Sequence, residues 1–313
     1  MNAPFSPKTR LFRVAHCKEF APVRKYLISP RKVRLLMQAY RISNLSWFYP
    51  LNAASAAEAL NEMRARRARG ETFYYDLGDT VGLYAFLIGE NRPYVLILPG
   101  GGYGDVCSFV EGFPTAVRFN RLGFNAIVGQ YRVGKSAHYP HPQEDVAKMV
   151  RFIGSHAEEW QLASDGYAVC GFSAGGHLAA SWGVRSLGWE KYGLPKPRAL
   201  FLCYPVITMG ERTHEGSRKN FLGRDRGEPR LQERYSIERQ VSADYPPTFL
   251  WQCKGDTVVP FDNAVMMEEA LARNNVAHVF FPVDGTAHGW GVAAGTPAEP
   301  WTERAAKFYA ECR

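Results

Sequence analysis

The sequence has few cysteines, and they follow no recognisable pattern. Its six cysteines in 313 residues are scattered, without a Cys-x-x-Cys pair or the spacing of a disulfide framework. Cys170, Cys203 and Cys253 lie inside apolar runs, where reduced core cysteines are expected. The pattern favours a reducing, cytoplasmic compartment over secretion, and it argues against a zinc site.

Long hydrophobic runs are also absent. No stretch approaches the roughly 20 apolar residues that a membrane-spanning helix needs, and residues Met1 to Lys8 lack the continuous apolar core of a signal peptide. Hydrophobic residues nevertheless make up 46% of the chain, which is ample for a substantial core. We therefore expect a soluble protein without a membrane span, either two average domains or one large α/β domain with additions.

An excess of one charge sign is confined to the N-terminus. Residues 1–72 hold 14 Lys and Arg against 4 Asp and Glu, whereas the other 241 residues hold 24 against 26. The basic character therefore belongs to one segment, and the body of the chain is close to neutral. Such a distribution does not imply a nucleic-acid partner for the chain as a whole.

Residues 1–71 are predicted to form a basic helical extension. A helical pattern with apolar positions at Val33, Leu35, Leu36, Met37 and Ile42 breaks at Pro50, and an Ala-rich helix follows from Ala53 to Arg69. One interpretation is a cap over the active site or a homo-oligomer contact. The other, which we favour, is a packing arm whose Arg64, Arg66, Arg67 and Arg69 face solvent, because charge runs are usually solvated.

Beyond this extension, residues 72–313 alternate between strand and helix patterns. Strands are predicted at 72–76, 82–88, 94–98, 125–131, 168–170, 199–204, 248–253 and 278–281, and helices at 114–122, 142–160, 262–273 and 300–312. This alternation is typical of the α/β class, with a mostly parallel sheet covered by helices on both faces.

One polar segment, residues 206–245, interrupts the alternation. Of its 40 residues, 15 are charged. Long insertions on folds of this kind tend to be functional, so we predict a cap of loops and helices. A lid over a lipid interface would show a broad apolar face instead, which argues against a lipase.

The candidate nucleophile lies in Gly171-Phe172-Ser173-Ala174-Gly175, between an apolar strand and a helix of small residues. In a Gly-x-Ser-x-Gly motif the serine occupies a strained strand-to-helix turn. Gly171 and Gly175 lack the Cβ atoms that would clash where backbone and helix approach each other. The motif therefore predicts that the hydroxyl of Ser173 stands clear of the sheet.

A serine hydroxyl needs an imidazole to take its proton and a carboxylate to orient that imidazole. On a sheet of this kind both lie on loops after later strands, in the order Ser, Asp, His. Asp256 lies on the loop after the predicted strand 248–253 and is the predicted acid. Asp262 is its main rival, but it sits where the N-cap of the next helix is expected, which explains it structurally.

His288 is the predicted base, because it lies on the Gly-rich loop after the last strand. His177 and His278 are interpreted as structural polar residues at the ends of regular elements. The remaining histidines fall at the wrong places in the chain order: His16, His138, His141, His156 and His214.

The loop Pro99-Gly100-Gly101-Gly102-Tyr103 follows an apolar strand and has a backbone free to aim its N–H groups. We assign the N–H groups of Gly101 and Gly102, with that of Ala174, to an oxyanion hole. The alternatives are a simple turn or a phosphate loop. The second fails because the Gly-x-x-x-x-Gly-Lys-Ser/Thr and Gly-x-Gly-x-x-Gly patterns are missing here.

With these elements in order, the chain from about Thr72 to Arg313 resembles the α/β-hydrolase superfamily, and within it the small carbohydrate esterases of the acetyl-xylan-esterase and hormone-sensitive-lipase-like group. The resemblance is carried by residues 98–103, 140–145, 171–179, 255–260 and 287–289. It implies Ser173, Asp256 and His288 as a triad, and a metal-free acyl-enzyme mechanism on short acyl esters such as acetylated sugars. Pro99 departs from the His-Gly-Gly-Gly of lipase-like relatives and favours the acetyl-xylan-esterase side.

We therefore interpret the chain as a serine esterase that acts on a small-molecule or oligosaccharide ester without a cofactor. Tyr103, Phe109, Tyr204 and Trp290 are candidates for stacking on a sugar, although aromatic residues near a core more often pack into it. A peptidase or amidase of the same fold stays open, because a triad serves both leaving groups. A non-catalytic binding protein with an acidic partner is disfavoured, because it would not need all three triad residues.

Overall fold

The computed structural model describes residues 3–23, 40–45 and 52–312. Within the N-terminal segment it contains helices α1 (Leu11–Ala15), α2 (Ile42–Leu45) and α3 (Asn52–Ala68), and a 3₁₀ turn at Lys18–Val23. The Ala-rich helix is thus confirmed to within a residue at each end. The predicted apolar positions 33–37 and the break at Pro50 lie outside the described residues.

An eight-stranded sheet forms the centre of the molecule, with strand order β1-β2-β4-β3-β5-β6-β7-β8. The β1–β2 and β2–β4 pairs are antiparallel, and the other five pairs are parallel. The predicted mostly parallel sheet is confirmed. The strands are β1 (Tyr74–Gly78), β2 (Val81–Phe86), β3 (Arg92–Leu98), β4 (Asn125–Gln130), β5 (Leu162–Phe172), β6 (Ala199–Cys203), β7 (Thr248–Cys253) and β8 (His278–Val283).

Helices alternate with these strands, as the sequence pattern predicts. They are α4 (Phe113–Arg121), α5 (His141–Ser155), α6 (Ser173–Gly183), α7 (Glu215–Leu222), α8 (Pro229–Tyr235), α9 (Asp262–Arg273) and α10 (Trp301–Glu311). The helix predicted to reach Trp160 is shorter, because hydrogen-bonded turns follow Ser155 and lead directly into β5. None of the helices in the described part of the chain is long and apolar enough to cross a membrane.

The two faces of the sheet bury two separate apolar cores, because successive side chains of a strand point to opposite faces. Val95 and Ile97 of β3 belong to the first core, and Leu96 and Leu98 belong to the second. Helices α3, α4 and α10 contribute to the first core, and α5, α6 and α9 contribute to the second. Each face is therefore covered, and the carboxyl ends of the parallel strands stay available for loops.

The N-terminal segment shares the first core with the rest of the chain. Phe20, Leu60 and Met63 are fully buried there. The prediction that its arginines face solvent is wrong at Arg66, which is only 8% exposed. Its guanidinium donates to the carbonyl of Leu87 at 2.7 Å and to Asn120 Oδ1 at 3.1 Å, so it is a buried anchor between α3 and the sheet domain.

The insertion at 206–245 has a buried apolar side beneath its charged exterior. Phe221 of α7, Tyr235 of α8 and Ile237 are almost fully buried in the second core. A segment that is polar in composition is therefore docked firmly on the sheet domain. The predicted boundaries at residue 72 and at the ends of the insertion stay predictions.

Candidate active site

Ser173 occupies a sharp turn between β5, which ends at Phe172, and α6, which begins at Ser173. Its φ of +52° lies in the left-handed region, which costs a non-glycine residue energy and marks a constrained site. The turn also needs a glycine at 175, because a Cβ there would lie 2.1 Å from the carbonyl oxygen of Leu98. The strand, turn and helix predicted from the motif are all present.

A chain of hydrogen bonds joins Ser173, His288 and Asp256. His288 Nε2 lies 2.9 Å from Ser173 Oγ, and His288 Nδ1 lies 2.7 Å from Asp256 Oδ2. A carboxylate accepts, so Nδ1 carries the ring proton and Nε2 is free to accept from the serine hydroxyl. Ser173 and His288 are each 7% exposed. The structure thus brings together three residues that the sequence separates by up to 115 positions.

Asp256 is fixed by donors on its own loop. Its Oδ1 accepts the N–H groups of Val258 at 2.9 Å and Val259 at 3.0 Å, and Gln252 Nε2 donates to Oδ2 at 3.2 Å. Its side chain is completely buried. The rival Asp262 is the first residue of α9 rather than its N-cap, which is Phe261, so the N-cap prediction is wrong by one position. An acidic side chain is favourable in the first turn as well.

The glycine loop after β3 lies against the serine. A Cβ on Gly100 would be 2.8 Å from Ser173 Cβ. Gly101 and Gly102 have φ of +130° and +61°, and a Cβ on Gly101 would meet the carbonyl oxygen of Asp105 at 2.2 Å. No hydrogen bond among the described residues uses the N–H of Gly101 or Gly102. These donors, with the N–H of Ala174 in the first turn of α6, are available to a ligand beside Ser173.

A buried carboxylate behind this loop was missed by the sequence reasoning. Glu111, in a short π-helical turn at Ser108–Gly112, accepts the Gly100 N–H at 2.6 Å and the Tyr204 hydroxyl at 2.9 Å. Burial raises the pKa of Glu111, and the two hydrogen bonds partly oppose that rise. The only sequence signal is an acidic residue between Phe109, Val110 and Phe113.

Helix α7 of the insertion reaches the opposite end of the glycine loop. Asn220 Nδ2 donates to the carbonyl of Gly102 at 2.9 Å. His214, the N-cap of α7, accepts the Ser217 N–H at its Nδ1, so its Nε2 carries the proton. Burial lowers the pKa of His214, and nearby His288 lowers it further. The place of His214 in the chain order excludes it from the predicted triad. In the structure it lies beside the glycine loop.

His177 is a buried structural residue, as predicted. Its Nε2 donates to the carbonyl of Tyr235 at 2.8 Å, and its Nδ1 therefore accepts the Tyr103 hydroxyl at 2.8 Å. Burial lowers the pKa of His177 to about 4, so the ring is neutral at ordinary pH. His177 lies on the helix after Ser173, and its imidazole is hydrogen-bonded to Tyr103 of the glycine loop and to Tyr235 of the insertion.

The aromatic residues proposed to stack on a sugar need correction. Tyr103 is 0% exposed and packs on Phe221, and Tyr204 is also buried with its hydroxyl on Glu111, so neither ring has a face open to a sugar. A stacking role for these two residues is therefore contradicted. Phe109 and Trp290 are mostly buried but keep a little exposed surface, and their role stays a prediction.

Across residues 3–23, 40–45 and 52–312, no group of three or more His, Cys, Asp or Glu side chains is placed to hold a metal ion. All the chemistry described for the site uses side chains and backbone groups of the chain itself.

Comparison with known proteins finds sequence similarity to a xylanase and to an acetylxylan esterase. The BD-FAE family model matches residues 88–189, which include the glycine loop and Ser173. Endo-1,4-beta-xylanase B of Butyrivibrio fibrisolvens is 35% identical over 214 residues, which are 64% of this chain and 33% of the relative. Acetylxylan esterase of Xylanibacter ruminicola is 31% identical over 204 residues, which are 62% of this chain and 40% of the relative. The chain thus spans about a third to two fifths of these relatives.

A solved structure is similar to this chain as well. The acetyl ester-xyloside bifunctional hydrolase from Caldicellulosiruptor lactoaceticus aligns with a TM-score of 0.67 and 29% identity, over 74% of this chain and 88% of that one. The predicted fold and the predicted resemblance to acetyl-xylan-esterase-like proteins are both confirmed.

Proposed function

Because this chain has the α/β-hydrolase fold and resembles acetylxylan esterases, we propose that it is a serine esterase that removes short acyl groups, acetyl above all, from carbohydrates. The observation that carries this proposal is the hydrogen-bond chain from Ser173 Oγ through His288 to Asp256, at 2.9 and 2.7 Å. Nucleophile, base and orienting carboxylate are the three groups that acyl transfer from a serine requires.

In the acylation step, Ser173 Oγ attacks the carbonyl carbon of the ester while His288 Nε2 takes the hydroxyl proton. Asp256 accepts from Nδ1–H and stabilises the imidazolium that forms. The N–H groups of Gly101, Gly102 and Ala174 donate to the oxyanion of the tetrahedral intermediate. The intermediate then expels the alcohol, which leaves with the proton from His288, and the acyl group remains on Ser173.

Deacylation repeats these steps with water. His288 takes a proton from the water as its oxygen attacks the acyl carbon, and the same backbone donors stabilise the second oxyanion. Collapse of the intermediate breaks the bond to Ser173 Oγ, which recovers its proton from His288. The products are the free acid and the unmodified enzyme.

The surroundings of the site favour a polar alcohol. The nucleophile is enclosed by the Gly100 backbone on one side and by the His288 ring on another. The insertion next to the glycine loop carries 15 charged residues in 40 and presents polar groups, His214 and Asn220, to that loop. Polar groups at a site suit a hydroxyl-rich alcohol better than a lipid chain.

A substrate panel tests the proposal. We expect wild-type protein to hydrolyse p-nitrophenyl acetate and acetylated xylo-oligosaccharides, with kcat/KM falling from acetyl to octanoyl esters and with little turnover of peptide amides. Ser173→Ala is the matched control for background hydrolysis. Turnover of amides but not of esters would contradict the esterase assignment, and a preference for octanoyl esters would contradict the short-chain assignment.

A further inference from the structure

A single buried carboxylate connects the two loops that flank Ser173. We propose that Glu111, in its ionised form, is a positioning residue that holds the glycine loop against Ser173 and supports the positive charge that His288 acquires in the reaction. This inference rests on the proposed serine chemistry. It adds a second carboxylate to the catalytic centre beside Asp256.

Glu111 fixes the start of the glycine loop. Its Oε2 accepts the N–H of Gly100 at 2.6 Å, a short bond of the kind that charged acceptors make. From the preceding residue, the carbonyl of Pro99 accepts the Tyr131 hydroxyl at 2.5 Å. With the Pro99–Gly100 peptide group held at both its C=O and its N–H, the N–H groups of Gly101 and Gly102 keep a fixed direction toward the space beside Ser173.

Glu111 also reaches the histidine loop, through Tyr204. The Tyr204 hydroxyl donates to Glu111 Oε1 at 2.9 Å and accepts the N–H of Gly291 at 3.0 Å, three residues after His288. The Tyr204 ring packs edge-on against the His288 imidazole, with 4.8 Å between centroids and 67° between planes. One carboxylate is therefore linked to the oxyanion side and to the base side of the site.

The hydrogen-bond pattern indicates that Glu111 is ionised. Gly100 N–H can only donate, and it uses Oε2. The Tyr204 oxygen already accepts from Gly291, so its own proton is the one that lies between it and Oε1. Both carboxyl oxygens are thus acceptors, as in a carboxylate. Burying this charge is unfavourable unless it is compensated, which is why its placement behind the Tyr204 ring, on the side away from His288, is informative.

A negative charge on Glu111 in this buried interior stabilises the imidazolium form of His288. Charge interactions are several times stronger at a low effective dielectric than in water. Burial raises the pKa of Glu111, and the nearby His288 opposes part of that rise. The titratable groups near the His288 ring include Asp256, which is hydrogen-bonded to it, Tyr204, which packs against it, Glu111 behind Tyr204, and His214 from the insertion. Of these, Glu111 is hydrogen-bonded to the glycine loop at Gly100 and, through the Tyr204 hydroxyl, to the histidine loop at Gly291.

Glu111→Gln tests the proposal, because glutamine keeps an oxygen for Gly100 N–H and removes the charge. We expect kcat on p-nitrophenyl acetate to fall about tenfold per active site, while KM changes less than about twofold. Loss of an anion near His288 disfavours the imidazolium, so the acid limb of the kcat/KM profile should move to lower pH. A purely structural role would leave that limb in place.

Two further variants keep the test decisive. Tyr204→Phe retains the ring against His288 and breaks the link from Glu111 to Gly291, so we expect a drop in kcat of about threefold. Glu238→Gln is the matched control, because Glu238 is the other mostly buried glutamate with a pKa raised by burial, and it lies in the insertion. It should leave kcat and the acid limb unchanged. Titration with a fluorophosphonate counts the folded active sites in each preparation.

The proposal is overturned if Glu111→Gln matches wild type in kcat and acid limb, or if its loss equals that of Glu238→Gln. Failure of the esterase proposal looks different, since wild-type protein would then turn over no ester at all. In that case the rate at which the fluorophosphonate labels Ser173 replaces kcat, with the same expected order of variants. Equal labelling rates in Glu111→Gln and wild type would then overturn the inference.

Discussion

Two additions flank the sheet, and they contact the molecule in different ways. The N-terminal segment is strongly basic and packs on the face that carries α4 and α10, whereas the insertion at 206–245 has 8 basic and 7 acidic residues and packs on the other face. The N-terminal segment is held by apolar side chains and by Arg66, whose partners lie in the loop between β2 and β3 and in α4. The second touches the glycine loop directly through Asn220.

This difference shows that charge content does not indicate whether the N-terminal segment or the insertion contributes to the candidate active site. The N-terminal segment carries the larger net charge, yet its buried arginine stabilises the junction with the sheet domain. The insertion is nearly balanced in charge, yet its α7 places polar side chains next to the proposed oxyanion donors. We therefore expect the main effect of substituting Arg66 in the N-terminal segment to be on stability, and the main effect of substituting Asn220 in the insertion to be on rate.

The largest expected effect is on stability, at Arg66. Arg66→Ala leaves the Leu87 carbonyl and Asn120 without their charged donor and should lower the free energy of unfolding by roughly 3 kcal/mol. The measurement is urea unfolding followed by circular dichroism. Arg69→Ala, one residue beyond the end of the same helix, is the matched control, since its side chain is 55% exposed, and it should cost less than about 0.5 kcal/mol. If the two variants lost the same free energy of unfolding, Arg66 would not be the buried anchor described here.

The next effect is a pH dependence at His177, which joins the insertion to the glycine loop. Its folded pKa of about 4 lies below the unfolded value of 6.5, so acidification protonates the unfolded state first. Its contribution to stability is complete above about pH 6.5 and is lost as pH falls toward 4. Between about pH 7.5 and pH 5, wild type should lose roughly 2 kcal/mol more than His177→Gln. The free energies come from urea unfolding at the two pH values. Equal losses in wild type and His177→Gln would contradict this account.

A smaller effect is expected on rate, at Asn220. Asn220→Ala frees the carbonyl of Gly102 and loosens the proposed oxyanion donors, so kcat should fall about five- to tenfold, which corresponds to roughly 1 kcal/mol. The melting temperature should change little, because the side chain is only partly buried. Lys219→Ala, at an exposed neighbouring position of α7, is the control for nonspecific effects. If Asn220→Ala instead lowers stability and leaves kcat intact, the insertion is merely structural.

The smallest effect is expected at Asn52, where the described part of the N-terminal segment contacts the histidine loop. Asn52 Nδ2 donates to the carbonyl of Gly289, next to His288, but the bond is long at 3.3 Å. Asn52→Ala should therefore lower kcat less than about threefold. Ser55→Ala, one turn further along α3, serves as the control. A larger loss in kcat than that of Asn220→Ala would reverse the comparison between the two additions.

The sequence was sufficient for the elements whose chemistry is local. The Gly-x-Ser-x-Gly turn, the glycine loop after β3, and the acid and base on loops after β7 and β8 follow from short-range patterns and from chain order. The structure places His288 within hydrogen-bond distance of both Ser173 and Asp256 at the carboxyl edge of the sheet. Period-two and helical patterns also gave the strands and most helices, because each has one or two buried faces.

The residues that were missed or misread depend on partners far away in the chain. Glu111 is informative only because Gly100 and Tyr204, 11 and 93 positions away, meet it in the folded state. Arg66 looks like part of a solvated run until Leu87 and Asn120 appear as its partners. Tyr103 has an aromatic side chain of the kind that can stack on a sugar. Only the packing of Phe221 against it shows that its ring is enclosed.

The most direct test of the central claim, a serine nucleophile activated by His288, is a pre-steady-state experiment with p-nitrophenyl acetate. Wild-type protein should release a burst of about one equivalent of p-nitrophenolate per active site, with an acetyl group found on the peptide that contains Ser173. Ser173→Ala should show no burst, and its kcat should fall by more than about a thousandfold. Hydrolysis by Ser173→Ala at the wild-type rate would contradict the account.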